Sequence, residues 1–197
     1  MAKTVRKADG WKSKKWYSVV SPELLGSLSV GEALANNPDD LVGRIVETTL
    51  GDVMGDFSKQ NVKLRFKVDR VGGDTAYTKF VEYQLTQDYL RSLVKRQSSI
   101  INLVVDVVTK DGATVRVKPC SFTIKRAHLE QVRGIRRTMR QIIEERARDL
   151  DFDQFIQEIL SGRVSAVIYK EVKKIYPLRR VEIERVKAMS KRRVAAV

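Results

Sequence analysis

At 197 residues, 43% hydrophobic and with a formal charge of +14, the chain is long enough to bury a core and basic enough to point to a polyanionic partner. Its most apolar run, Ile100–Val108, is interrupted by Asn102 and Asp106 and falls well short of the roughly 20 residues that span a bilayer, so no transmembrane helix and no membrane partner are expected. Cys120 is the only cysteine, which excludes an intrachain disulfide and, in practice, a thiolate zinc site, and it suits a reducing compartment.

In chain order, residues 1–17 carry Lys3, Arg6, Lys7, Lys12, Lys14 and Lys15 against one acid, Asp9, with Trp11, Trp16 and Tyr17 among them. They have neither helical nor strand period and read as a basic RNA-binding arm that orders on a partner. Pro22 and Glu23 interrupt the residues that follow, so no secretory signal is expected. Leu41–Leu50 reads as an early strand. Asn61–Val71 alternates cleanly, with Val62, Leu64, Phe66 and Val68 on one face and Lys63, Arg65, Lys67 and Asp69 on the other. Gly72, Gly73 and Asp74 turn the chain into Thr75–Leu85, whose common face is read as Tyr77, Val81 and Tyr83. Thr86 is placed to cap a helix over Gln87–Arg96, apolar at Leu90, Leu93 and Val94.

Ile100–Thr109 and Ala113–Ile124 form a second predicted hairpin around Asp111 and Gly112, with Pro119 marking an edge strand or a bulge. The period then turns helical from about Ala127 to Asp149, again over Phe152–Leu160 before Gly162, and again over Val164–Ile175 before Pro177. A last strand covers Val181–Lys187. Strands first and helices later predict an α+β fold: an antiparallel, barrel-like β core with C-terminal helices in one globular unit over residues 18–190, a basic N-terminal arm before it and a short basic tail over 191–197.

Charge is segregated along this order. Ser18–Val115 sums to −2, Arg116–Arg148 to +7, Asp149–Gly162 to −4 and Arg163–Val197 to +8. On a helical wheel Val132, Ile135, Met139, Ile142 and Ile143 share one stripe, and Arg126, Arg133, Arg136, Arg137 and Arg140 form a second, about a third of a turn away. Guanidinium forks repeated at that spacing suit a row of phosphates. The alternative is a solvated helix face, but no acid stands between Gln131 and Ile143 to balance the cations. In the arm, Trp16 and Tyr17 beside Lys14 and Lys15 either stack unpaired bases or anchor the arm into the core. Lys173, Lys174, Arg179 and Arg180 surround Tyr176 and Pro177, where phosphate binding and simple helix-end charge compensation are equally served.

Catalysis finds no support. His128 is the only histidine and stands at a helix start, no nucleophile–base set or phosphate-binding glycine loop can be written, and the acids from Glu144 to Asp153 lack calcium-loop spacing. The expectation is a chain that is not an enzyme, with no cofactor, no metal site and no small-molecule substrate.

Several motifs nevertheless occur in a recognisable order. Lys15, Trp16 and Tyr17 precede Gly43, Arg44, Glu47 and Asp52; Thr86, Asp88–Leu93 precede Thr109, Asp111, Gly112 and Arg116; Ile135, Arg136, Met139, Ile142 and Ile143 precede Ile175–Arg179 with Val181–Ile183, Val186 and Lys187. In these the chain resembles the archaeal and eukaryotic small-subunit ribosomal protein family called S-three-A-e, or S-one-e. The resemblance implies a β-barrel-like core with packed helices on the platform of the small subunit, near the messenger exit and the 3′ end of the small-subunit RNA. It implies ribosomal RNA, neighbouring ribosomal proteins and messenger RNA near the exit as partners, a cytoplasmic location and a structural role in translation. The chain lacks the long C-terminal extension of eukaryotic members and so looks archaeal in form. The competing expectation is a free single-stranded nucleic-acid binder or messenger-binding regulator, suggested by the aromatic and basic arm.

Overall fold

A computed structural model describes residues 14–189. Nine strands and five α-helices follow one another as β1 (Lys15–Val20), β2 (Ser29–Ala35), β3 (Ile45–Thr49), α1 (Leu50–Met54), β4 (Val62–Gly72), β5 (Thr75–Leu85), α2 (Gln87–Leu93), β6 (Ile100–Asn102), β7 (Val105–Val108), β8 (Thr114–Thr123), α3 (Leu129–Asp149), α4 (Phe152–Leu160), α5 (Arg163–Val172) and β9 (Leu178–Met189). The fold is α+β, as expected. The strand order is open, β2-β1-β5-β9-β8-β6 with β4 also on β5, so the barrel-like core is a sheet with free ends and not a closed barrel.

The chain divides into two compact units: residues up to Val46 with Phe66–Phe80, and Glu47–Arg65 with the chain from Val81 onward. The cause lies in β4 and β5, which are long enough, at 11 residues each, to give one end to each unit.

In the first unit β1 pairs antiparallel with β2 and parallel with the start of β5, from Ser18 opposite Thr75 to Val20 opposite Tyr77. The end of the predicted arm is therefore structured: Lys15–Tyr17 open a strand. Tyr17, Val19, Ala35, Leu41, Val68 and Ala76 form the small core there. The strand predicted from Leu41 begins only at Ile45, because residues before it turn: Gly43 at φ +90° donates its N–H to the Val68 carbonyl, and the Arg44 N–H bonds the Leu41 carbonyl. Only glycine adopts that φ without strain.

The first predicted hairpin is present, with Leu64, Phe66 and Val68 of β4 buried and Val62 half-buried. On β5 the expected face is corrected. Ala76, Thr78, Phe80 and Glu82 are buried, and of the expected face Tyr83 is buried and Val81 half-buried, whereas Tyr77 is 43% exposed. The ring of Tyr77 lies on the outer face, 4.9 Å from the Arg70 guanidinium. Thr78 can be buried because its hydroxyl donates to the Val20 carbonyl at 2.7 Å.

The second unit is built on β8, which pairs with β9 along one side and with β6 and β7 in succession along the other. Pro119 sits in this central strand and not at an edge. It is tolerated because the β8–β9 register shifts between Lys118 and Pro119, a bulge that removes the need for its missing N–H. Cys120 and Phe122 lie on the side of β8 that faces Leu90 of α2, and Ser121 reaches the opposite side, where its hydroxyl donates to Met139 Sδ of α3 at 3.1 Å. α3 packs on β6 and β7, α5 on β9 and α3, and α4 on both α3 and α5. Ile135, Met139, Ile143, Phe155, Ile156, Ile168 and Val172 are essentially inaccessible, so the helices cover the sheet through the predicted apolar stripe.

Helix ends are set by local chemistry. Gln131 Oε1 accepts from the His128 N–H at 2.9 Å, fixing the start of α3, which makes the single histidine a helix-capping residue. Gly162, at φ +78°, stands between α4 and α5. The N-terminus of α4 is capped from far away: Asp111, in the β7–β8 turn, accepts from the Phe152 N–H at 3.0 Å.

Candidate nucleic-acid interface

The arginine row on α3 is formed because apolar residues at 135, 139, 142 and 143 leave the helix with one buried stripe, and the flanking positions must then face outward. Arg126, Arg133, Arg136, Arg137 and Arg140 are all exposed. Their surroundings differ. Arg133 is paired with Glu130 at 2.6 Å one turn back, both side chains being well exposed, and such a pair contributes little. Arg136 donates its Nε–H to the Asn102 carbonyl of β6 at 3.2 Å, which orients the guanidinium without cancelling its charge. Arg126, Arg137 and Arg140 have no acidic partner within ion-pair distance among the described residues. Arg146, close to the apolar stripe, finds Glu158 of α4 at 3.9 Å and is thereby removed from the cationic face.

The turn after α5 comes to the same end of α3. The Tyr176 hydroxyl donates to the Arg126 carbonyl at 2.9 Å, the Ile124 N–H donates to the Pro177 carbonyl, and Ile175 packs over Gly134. The basic turn and the start of the arginine row are therefore neighbours, a relation that 50 residues of separation hide in the sequence. Within the turn, Lys174 is paired with Glu171 at 2.7 Å, and Lys173 Nζ stands 5.8 Å from the Tyr169 ring. Arg180 is held by Glu182 at 2.6 Å. Arg179 is exposed and has no ion pair among the described residues.

In the first unit Lys15 and Trp16 are exposed on β1 while Tyr17 is buried. The two alternatives for the aromatic pair are thus divided between its members: Tyr17 anchors the strand, and Trp16, 62% exposed, presents an open indole face. Lys14 is half-buried. Lys3, Arg6, Lys7 and Lys12 lie outside the described residues, as does the tail with Lys191, Arg192 and Arg193.

Cations that the sequence leaves unmarked complete or leave this surface. Lys125 and Arg148 are exposed at the two ends of α3; the first is signalled by its position beside Arg126, the second only by the wheel. Lys63 and Arg65, by contrast, are neutralised. Both bond the Glu47 carboxylate at 2.8 Å, and Arg65 also approaches buried Glu82, which lies 2.6 Å from Arg185 Nε. Lys118 is paired with Glu184 at 2.6 Å and Arg116 with Asp106 at 2.7 Å. These strand cations are therefore paired, whereas Arg126, Arg137, Arg140 and Arg179 have no ion pair among the described residues.

No group of three or more metal-ligating side chains occurs among the described residues, and no helix there is long and apolar enough to cross a membrane. Burial pushes the Cys120 thiol up to about 12, with Glu184 adding to the shift, so at neutral pH it is a protonated core residue.

The model of the Ribosomal S3Ae family matches residues 2–192. The chain is 55% identical over 185 residues to small ribosomal subunit protein eS1 of Methanothrix thermoacetophila, covering 94% of this chain and 88% of that protein. It is 48% identical over 190 residues to the protein of the same name from Archaeoglobus fulgidus, with 95% and 90% covered, and 46% identical over 181 residues to that from Saccharolobus islandicus, with 92% and 87% covered. A match along nearly the whole chain establishes that the chain belongs to the Ribosomal S3Ae family.

Proposed function

We propose that the chain is a structural, non-enzymatic constituent of the small ribosomal subunit, acting in translation in the cytoplasm by binding ribosomal RNA on the platform, near the messenger exit and the 3′ end of the small-subunit RNA. Its partners are that RNA, neighbouring small-subunit proteins and messenger RNA passing the exit. The observation that carries the RNA contact is the α3 row, in which Arg136, Arg137 and Arg140 stay exposed with no acid against them, with Arg126 exposed in the segment just before the helix. Guanidinium groups so placed bind phosphates with paired donors and set the register of the protein on folded RNA without reading its sequence. The relatives' name supports the subunit assignment.

Binding to a fragment of small-subunit RNA as a function of salt tests the reading. Replacing Arg136, Arg137 and Arg140 by Glu is expected to weaken binding and to reduce the slope of log K against log salt by about 0.7 to 0.9 for each phosphate no longer neutralised. An unchanged slope would mean that the row faces solvent or protein. Exposed Trp16 favours a second reading, a free single-strand binder. Stable retention on washed small subunits would count against that as the main role.

A further inference from the structure

Besides the α3 row, the second unit contains a cleft of about 630 Å³ whose lining includes Lys59, Tyr89, Tyr169, Arg179, Arg180 and Glu182. The volume is in the range of small-ligand sites and accommodates one nucleotide. Its polar groups are arranged unevenly. Glu182 is the only acid in the lining, and its Oε1 already takes the Arg180 Nε–H at 2.6 Å and the Tyr89 hydroxyl at 3.3 Å. Arg179 has no acidic partner among the described residues, and Lys59 Nζ lies 3.7 Å from Met54 Sδ, which is no counter-ion. Three cations against one engaged carboxylate leave the cleft positive.

The rings are held in place by their own hydroxyls. Tyr89 is tied to Glu182, and the Tyr169 hydroxyl donates to the Leu178 carbonyl at 3.4 Å. Both rings are half-buried, and cations already stand over them: Arg180 lies 5.8 Å from the Tyr89 centroid and Lys173 5.8 Å from that of Tyr169. Fixed aromatic surface beside unpaired cations is the combination that holds a base by stacking and its phosphate by charge. An acidic peptide would use the cations and leave the rings idle.

We propose that this cleft is a binding site for a single unpaired nucleotide of RNA, its base against the Tyr89 and Tyr169 rings and its phosphate at Arg179 and Lys59. The inference rests on the RNA-binding reading above and adds to it a second site that selects unpaired over duplex RNA, since a base must leave its stack to reach a tyrosine face.

The test uses the full-length chain with fluorescently labelled hexaadenylate and, separately, a 12-base-pair RNA duplex, followed by anisotropy at several salt concentrations. Tyr89→Leu is expected to weaken hexaadenylate binding roughly 5- to 150-fold, as loss of one base stack does, with the salt slope and duplex affinity unchanged. Arg179→Ala, at an exposed position that the core does not need, is expected to weaken binding and reduce the slope by about 0.7. Tyr89→Phe is expected to retain binding. Wild-type affinity in both Tyr89→Leu and Arg179→Ala overturns the cleft assignment, and so does equal loss on the duplex. If only the α3 triple variant then loses affinity, RNA binding stands without the cleft; if the unaltered chain binds neither RNA, both readings fail.

Discussion

Asp106 and Arg116 face each other across β7 and β8 and share two hydrogen bonds of 2.7 and 2.8 Å, which hold the Asp106 carboxyl below its ordinary range. Glu47 is held low in the same way, first by its bond from Lys63 and then by that from Arg65. A lowered carboxyl binds protons less readily in the folded than in the unfolded chain. The stability it contributes is present above the ordinary carboxylate range and is lost as pH falls through the lowered value, below about pH 4. Both pairs are exposed to solvent, so each contribution is small. Urea midpoints measured against pH should fall on this acid limb, and more shallowly in a Glu47→Gln, Asp106→Asn double variant; identical limbs would contradict the assignment. Cys120 carries the opposite sign. Its thiol is raised to about 12, so the neutral form is favoured by folding, and the associated stability is lost only as pH climbs above the ordinary thiol value toward that figure. Alkylation by iodoacetamide at neutral pH is expected to be slow in the native protein and fast in urea. Rapid native labelling would mean that Cys120 is not buried in β8.

Among the elements, those with a strong local period are legible in the sequence alone. β4 alternates apolar and charged residues over its whole length, and α3 shows its buried stripe and its arginine row on one wheel. β5 misleads because Tyr77 and Val81 look more hydrophobic than Ala76 and Thr78. What decides the face is that Thr78 has a carbonyl partner on β1 and Glu82 has two arginines, neither of which local sequence displays. Pro119 is legible as a bulge and illegible as central, because its place in the strand order is set by β9, far away along the chain. The cap on α4 is of the same kind, because the side chain that accepts from the Phe152 N–H is Asp111, far away along the chain. Asp111→Ala is expected to cost about 1 kcal/mol, read as a lower urea midpoint at unchanged m-value. No change would show that the β7–β8 turn does not support α4.

Across the whole molecule, charge is segregated along the chain, and the fold shows which cations already have acidic partners. Lys63, Arg65, Arg116, Lys118 and Arg185 are paired on strands, whereas most of the α3 row and Arg179 are not. That distinction is invisible in sequence because the partners come from other elements: Glu47 for Lys63, Asp106 for Arg116, Glu184 for Lys118. The cleft is invisible for the same reason, since Lys59, Tyr89, Tyr169 and Arg179 lie on four separate segments. The division into two units also escapes periodicity, which reports faces and not which end of a long strand packs where. Crosslinking of the protein within intact small ribosomal subunits, reading both the nucleotides and the residues joined, tests whether the arginine row meets ribosomal RNA. Crosslinks from Arg126, Arg136, Arg137 and Arg140 to small-subunit RNA near its 3′ end are the predicted result. Crosslinks from these residues to protein alone, or absence of the chain from the subunits, would contradict it.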